Sequence, residues 1–310
     1  MRLFTLLPLL WLPFVFGGCD ADSGTVDAFE TVDAIDITDA LLTSQNANCA
    51  SYVEAYRADA TDLAENRAYE GALTIETDGA TCTFTSNAIP NHDFNDAGSF
   101  ATRVSTQNQV YTITATPDFA ATRTALSLDY DNAVLLNGVK VDLLAAGCYG
   151  VGNGHSGCHD MDTPWRYDPM GTVHFGTDAH NAHTQPDGTY HYHGNPKALF
   201  DDTDGSAPSP VIGFAADGFP IFGTYFRDDT GTVRKAQSSY QLKSSTRPDG
   251  PGGTYDGTFV DDYAYVEGSG DLDACNGMIV DGAYGYFVTD GYPHMLGCFT
   301  GTPDASFRKR

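Results

Sequence analysis

The sequence predicts a mainly β fold: antiparallel strands and hairpins in a sandwich-like arrangement, with long Gly/His/Asp-rich loops and one short N-terminal helix. Three observations predict it. The chain of 310 residues holds 33 Gly and 17 Tyr alongside many Thr and Asp, a mix suited to strands joined by tight turns. Short stretches alternate apolar with polar residues, the period-two pattern of half-buried strands. Asp-Gly and Asn-Gly pairs fall between such stretches, where two-residue hairpin turns require them.

The first segment, residues 1–18, has one early positive charge, an apolar run and small residues at its end. That is the order of a secretory signal peptide. The run is shorter than the roughly 20 apolar residues of a membrane span, and Pro8 and Pro13 interrupt it. Gly17-Gly18-Cys19 resembles a bacterial lipobox, in which the Cys takes lipid and becomes the mature N-terminus. Phe16 departs from the aliphatic residue usual there. The expectation is an exported, membrane-anchored lipoprotein, periplasmic or at the cell surface. Cys19 is its lipidation site, 19–45 its anchor and acidic tether, and 46–305 its β-rich domain. The membrane is touched through the anchor alone.

Beyond the tether, Ala50 to Asn66 is the helical candidate, with Tyr52, Val53, Tyr56 and Ala60 in an Ala/Glu/Asp-rich context. Leu73–Thr77 and Cys82–Thr85 alternate around the turn Asp78-Gly79. Val110–Ala115 and Thr124–Leu128 alternate as well. Ala133–Leu144 is broken by Asn137-Gly138, a strong hairpin signal. Residues 147–187 form a long Gly/His/Asp/Pro/Asn-rich loop without a period, and such loops are often functional. Strands resume at Thr189. Val211–Ala215 and Phe219–Gly223 flank Asp217-Gly218, and Tyr284–Thr289 is the last clear strand.

Lipidation of Cys19 leaves six cysteines: Cys49, Cys82, Cys148, Cys158, Cys275 and Cys298. An even number in an oxidising compartment suggests three disulfides, with 15 pairings open in principle. Nearness suggests Cys49–Cys82, Cys148–Cys158 and Cys275–Cys298. A rival reading makes Cys148 or Cys158 a metal thiolate beside His159. The net charge of −25 repels polyphosphates, so no nucleic-acid partner is expected. Loops such as Asp201-Asp202-Thr203-Asp204-Gly205 raise calcium as an alternative ligand, although the remaining EF-hand spacing is missing.

Seven of the nine histidines lie between His155 and His193. His155, His159, His174, His180 and His183 fall in the long loop. His191 and His193 follow in Tyr190-His191-Tyr192-His193. On a strand those two imidazoles share a face, with Cα atoms about 6.5–7 Å apart. Tyr190 and Tyr192 take the other face. His-x-His strands build zinc and copper sites, and imidazole suits both metals. His180 and His183 lie upstream across the turn Pro186-Asp187-Gly188, which brings one of them within reach. Asp178 and Asp160 are candidate carboxylate ligands or partners that orient an imidazole. The bland alternative is that these histidines bond to backbone groups in Gly-rich loops.

Tyr190-His191-Tyr192-His193 resembles the signature of the YHYH domain proteins, a family of bacterial exported proteins. Ile89-Pro90-Asn91-His92, the run Gly-Phe-Ala-Ala-Asp-Gly-Phe-Pro-Ile-Phe-Gly at 213–223, and Leu296-Gly297-Cys298-Phe299 are similar to it too. The resemblance covers roughly residues 80–301. Many relatives carry a second such segment near the C-terminus, where this chain has Tyr284-Gly285-Tyr286-Phe287. His294 is the candidate to compensate for the histidines missing there.

Three functions are compatible with these residues. The first is a lipoprotein holding copper or zinc on His191, His193 and one or two of His92, His180 and His183. The second is a metal-dependent hydrolase on the same ligands, with Asp160 or Asp178 as base and Arg166 steadying negative charge. The third is a metal-free binding or structural module at the cell surface. No nucleophile elbow and no helical His-Glu-x-x-His is present, so no reaction, substrate or partner is named.

Overall fold

The predicted alternation governs the first sheet. The computed structural model describes residues 34–172 and 175–309. Its first sheet holds β1 (Ile35–Asp36), β2 (Glu54–Asp62), β3 (Arg67–Thr77), β4 (Thr81–Ser86) and β5 (Gln109–Thr114), in that order. From β2 to β5 it is an antiparallel meander. Leu73 and Ile75 on β3, with Cys82 and Phe84 on β4, are buried at alternate positions, as the pleat dictates. β1 pairs in parallel with β2. The last part of the 19–45 stretch is thus bound into the sheet.

The helix expected over residues 50–66 is replaced by extended chain. A 3-10 turn spans Cys49–Tyr52, and β2 follows directly. No α-helix occurs among the described residues. The reason is tertiary. β2 pairs with β3 along all nine of its residues, Glu54 opposite Ile75 through to Asp62 opposite Arg67. Ala58, Ala60 and Asp62 turn inward at a spacing of two. The helix preference of Ala and Glu, about 0.5 kcal/mol per residue over β-branched types, is small beside a full ladder of hydrogen bonds and buried contacts.

The second sheet has eight strands. In spatial order they are Gly277–Val280, Ala283–Phe287, Pro220–Phe222, Val211–Ala215, Ala133–Leu135, Lys140–Val141, Tyr190–Tyr192 and Ala182–Thr184. Most neighbours are antiparallel. Two pairs are parallel: Lys140–Val141 with Tyr190–Tyr192, and Pro220–Phe222 with Ala283–Phe287. The predicted turns at Asn137-Gly138 and Asp217-Gly218 join hairpins. Their glycines sit at φ 81° and 87°, a region that disfavours residues with a Cβ. Thr124–Leu128 shortens to a two-residue strand, Thr124–Ala125, paired with Cys298–Phe299.

The two sheets face each other across one core. The Phe214 ring meets Phe84 at 6.0 Å and Tyr52 at 5.8 Å between centroids. Ser86 Oγ donates to the Gly138 carbonyl at 2.7 Å, tying β4 to the Asn137-Gly138 turn. The described residues belong to one compact unit. Three disulfides pair neighbouring cysteines: Cys49–Cys82, Cys148–Cys158 and Cys275–Cys298. The thiolate-ligand reading of Cys148 or Cys158 is thereby corrected, since both sulfurs are oxidised. The signal peptide, Cys19 and His174 lie outside the described residues.

Candidate metal centre

The site is built on the Tyr190–Tyr192 strand and the equally short Ala182–Thr184 strand beside it. They pair antiparallel, and His191 stands directly opposite His183. Directly opposed side chains share a face and come within about 5.5 Å at Cβ. His193 follows two residues on, its amide donating to the Asn181 carbonyl at 2.9 Å. One ligand nitrogen from each of His183, His191 and His193 lies within 4.8 Å of the other two. His183 Nε2 and His193 Nε2 are 3.0 Å apart.

Backbone carbonyls set the imidazole tautomers. His183 Nδ1 donates to the Phe175 carbonyl at 2.6 Å, which leaves its Nε2 bare. His191 Nδ1 faces the Thr189 carbonyl at 3.3 Å. His193 Nδ1 is buried with no hydrogen-bonding partner. Burial, reinforced by the charges of their neighbours, holds His191 and His193 well below the usual imidazole range. Burial also lowers His183, against the pull of the Phe175 carbonyl. All three are neutral at neutral pH, the form that binds metals.

The other predicted histidines do not join them. His92 lies on the opposite face of the strand, with Tyr190 and Tyr192. Its Nδ1 donates to the Asp93 carbonyl at 2.7 Å, and its Nε2 accepts from the Tyr192 hydroxyl at 2.6 Å. Both nitrogens are spent, and burial lowers its pKa to about 3. His180 packs against His92, with ring centroids 4.1 Å apart. It sits in the turn before the strand, where its side chain cannot follow that of His183. His155 leans on Phe175, and His159 is exposed.

Asp178 and Asp160 also part company. Asp178 is buried and acts as a brace. It accepts from Tyr190 Oη at 2.9 Å and from the His180 amide at 3.0 Å, and burial raises its pKa. Asp160 is exposed. Its carboxylate takes the Asp162 amide, and its carbonyl takes Arg166 Nη2 at 3.0 Å. Tyr190 and Tyr192 are fully buried, as predicted for the packing face. Asn137 Nδ2 donates to the Tyr192 hydroxyl at 3.1 Å. Asp201 is occupied with its own loop, accepting from the Thr203 and Asp204 amides. Tyr284 and Tyr286 are packing residues of the second sheet, and the Tyr286 hydroxyl donates to Asp217. His294 bonds to Asp168 instead of joining the triad.

Sequence reasoning missed the charged residues around the triad. Lys140 pairs with His191 across the parallel ladder. Its Nζ donates to Asp131 at 2.8 Å and to Gln185 Oε1 at 3.0 Å. Gln185 donates in turn to Asp142, which also takes Lys309 Nζ at 2.5 Å. Lys140 within Val139-Lys140-Val141 was the available signal, a lone cation in an apolar alternating run. Two lysines and two aspartates cancel, so the network leaves the triad in a nearly neutral wall.

A family model described as YHYH protein matches residues 110–301, which is more than half of the chain and contains all three histidines. No curated protein and no solved structure matches the chain.

Proposed function

The chain belongs to the YHYH protein family, and from that premise we propose that its triad holds one transition-metal ion, copper or zinc. The observation that carries this reading is the 3.0 Å approach of His183 Nε2 and His193 Nε2. His183 Nε2 is bare, because its proton is committed to Phe175. Without a metal, His193 Nε2 must donate to it, and His193 Nδ1 then becomes a buried acceptor with no donor. Such an orphan costs about 1–3 kcal/mol. With a cation between the rings, His193 carries its proton on Nδ1. Metal–nitrogen bonds of about 2.0–2.1 Å place tetrahedral ligands about 3.3 Å apart, close to the spacing seen.

Three neutral imidazoles supply no charge, and the set suits zinc or copper better than calcium or magnesium. Three protein ligands leave a fourth position for a small ligand. The purified, untagged protein is expected to carry about one copper or zinc per chain. His191→Ala with His193→Ala should reduce that to background. His180→Ala should retain it. Unchanged content in the double variant, measured by elemental analysis of the folded protein, would remove the proposal.

We propose further that the protein works outside the cytoplasm, anchored through Cys19. Three disulfides support an oxidising compartment. Cys19→Ala is expected to move the protein from the membrane to the soluble fraction. Retention in the membrane fraction after a carbonate wash would place the attachment elsewhere.

A further inference from the structure

We propose that a cleft of about 310 Å³, separate from the triad, binds an aliphatic amine through the imidazole–carboxylate pair His294–Asp168. The proposal does not depend on a metal. Asp168 is almost fully buried, and His294 is one-seventh exposed, 14%, and opens on the cleft. His294 Nε2 lies 3.0 and 3.2 Å from the two Asp168 oxygens. That contact places the proton on Nε2 and leaves the Nδ1 lone pair free. Among the described residues, the hydrogen bonds of the His294 ring are those of Nε2. His294 holds φ at 67°, a backbone state uncommon for a residue with a Cβ and concentrated at functional sites.

The cleft's charge selects the ligand. Asp162, Asp168 and Asp261 line it, against one guanidinium, Arg166. Three of the five Arg166 donors are spent on the carbonyls of Ala145, Cys158 and Asp160. The lining is net negative whichever way His294 is protonated. A chain of net charge −25 adds to that bias. An ammonium group supplies the positive charge that the lining is short of, and a donor for Nδ1. Leu143, Leu144 and Leu296 form the apolar wall for its hydrocarbon chain. The volume is at the small end for ligand sites, which suits a short chain.

The cleft also adjoins the triad. Gly194, next to His193, packs so closely on Met170 that a Cβ would meet Met170 Cγ at 3.2 Å. The Met170 amide donates to Asp168 at 2.9 Å. Met170 thus touches both Asp168 and the residue that follows His193.

Titration calorimetry of the full, metal-free protein with hexylammonium and with hexanoate tests the proposal. Hexylammonium should saturate one site with Kd of about 1 mM or tighter, and hexanoate should bind at least about tenfold more weakly. His294→Gln should weaken hexylammonium about tenfold, the loss of one charge-assisted hydrogen bond. Asp162→Asn, at an exposed position that does not threaten folding, should weaken it about threefold. Equal binding of hexanoate, no saturation by about 10 mM, or unchanged affinity in both variants would overturn it.

Discussion

Acidifying the metal-free protein from pH 7.5 to 5 is expected to remove about 6 kcal/mol of stability, enough to approach unfolding. His92, His191 and His193 are buried as neutral rings, His92 with its pKa lowered to about 3 and the other two well below the usual range. In the unfolded chain the same groups take up protons near pH 6.5. The unfolded state therefore binds more protons below that value, and stability falls as the pH falls. Each ring contributes about 1.4 kcal/mol per pH unit beneath 6.5, or about 2 kcal/mol at pH 5. Asp142, Asp178 and Asp217, raised by burial, act with the opposite sign, holding protons more tightly when folded. Their gain begins as the pH falls through their raised folded values, and it offsets part of the histidine loss. A domain of ordinary stability has about 5–15 kcal/mol to lose. Thermal melts of chelator-treated protein at pH 7.5, 6.5, 5.8 and 5 check this. A midpoint independent of pH across that series would refute the burial of neutral histidines. His92→Gln should flatten the slope by about 1.4 kcal/mol per unit, a third of the total.

Asp262→Ala is expected to cost about 3 kcal/mol, measured by urea denaturation. Asp262 is wholly buried. It accepts from Arg247 Nε at 2.8 Å and Nη2 at 2.6 Å, and from the amides of Gly257 and Phe259 at 3.1 and 3.3 Å. Removing one partner of a buried pair typically costs about 3–5 kcal/mol, because the other charge is left in a poor solvent. Arg247 keeps Asp256 at 2.6 Å, which sets the lower end. The loss should reach the cleft as well. Phe259 packs against Tyr167 with tilted rings, centroids 4.8 Å apart, and the Thr258 carbonyl receives the Asp168 amide at 3.0 Å. By contrast, the Arg234–Asp271 pair is well exposed on its arginine side, 39%. Asp271→Ala should cost about 1 kcal/mol or less. Equal costs at the two positions would show that Asp262 is no hub.

What was legible in the chain was local. The Asp78-Gly79, Asn137-Gly138 and Asp217-Gly218 turns, with the alternation on either side, located the hairpins because both signals depend on near neighbours. His191 and His193 share a face for the same reason. The sequence left His180 and His183 tied, because the choice depends on register across a turn. Register settles it by placing His183 opposite His191. His92 carried a true signal of proximity with a mistaken role, since it touches Tyr192 on the far face. Residues 54–62 misled because Ala and Glu speak for a helix locally, while β3 decides from outside the window. Lys140 and Asp142 stayed hidden because a parallel crossover from residue 141 to residue 190 leaves no trace in either stretch.

The three imidazoles belong to one hairpin, residues 183 to 193, whereas the groups that enclose them come from residues 131, 140, 142 and 309. Closing so short a loop costs little entropy. Bringing the three nitrogens together therefore asks little of the chain, whereas the surrounding wall must be gathered from positions up to 178 residues apart, 131 to 309. Local chain thus sets the spacing of the imidazoles, and long-range topology sets how far they are closed off from solvent.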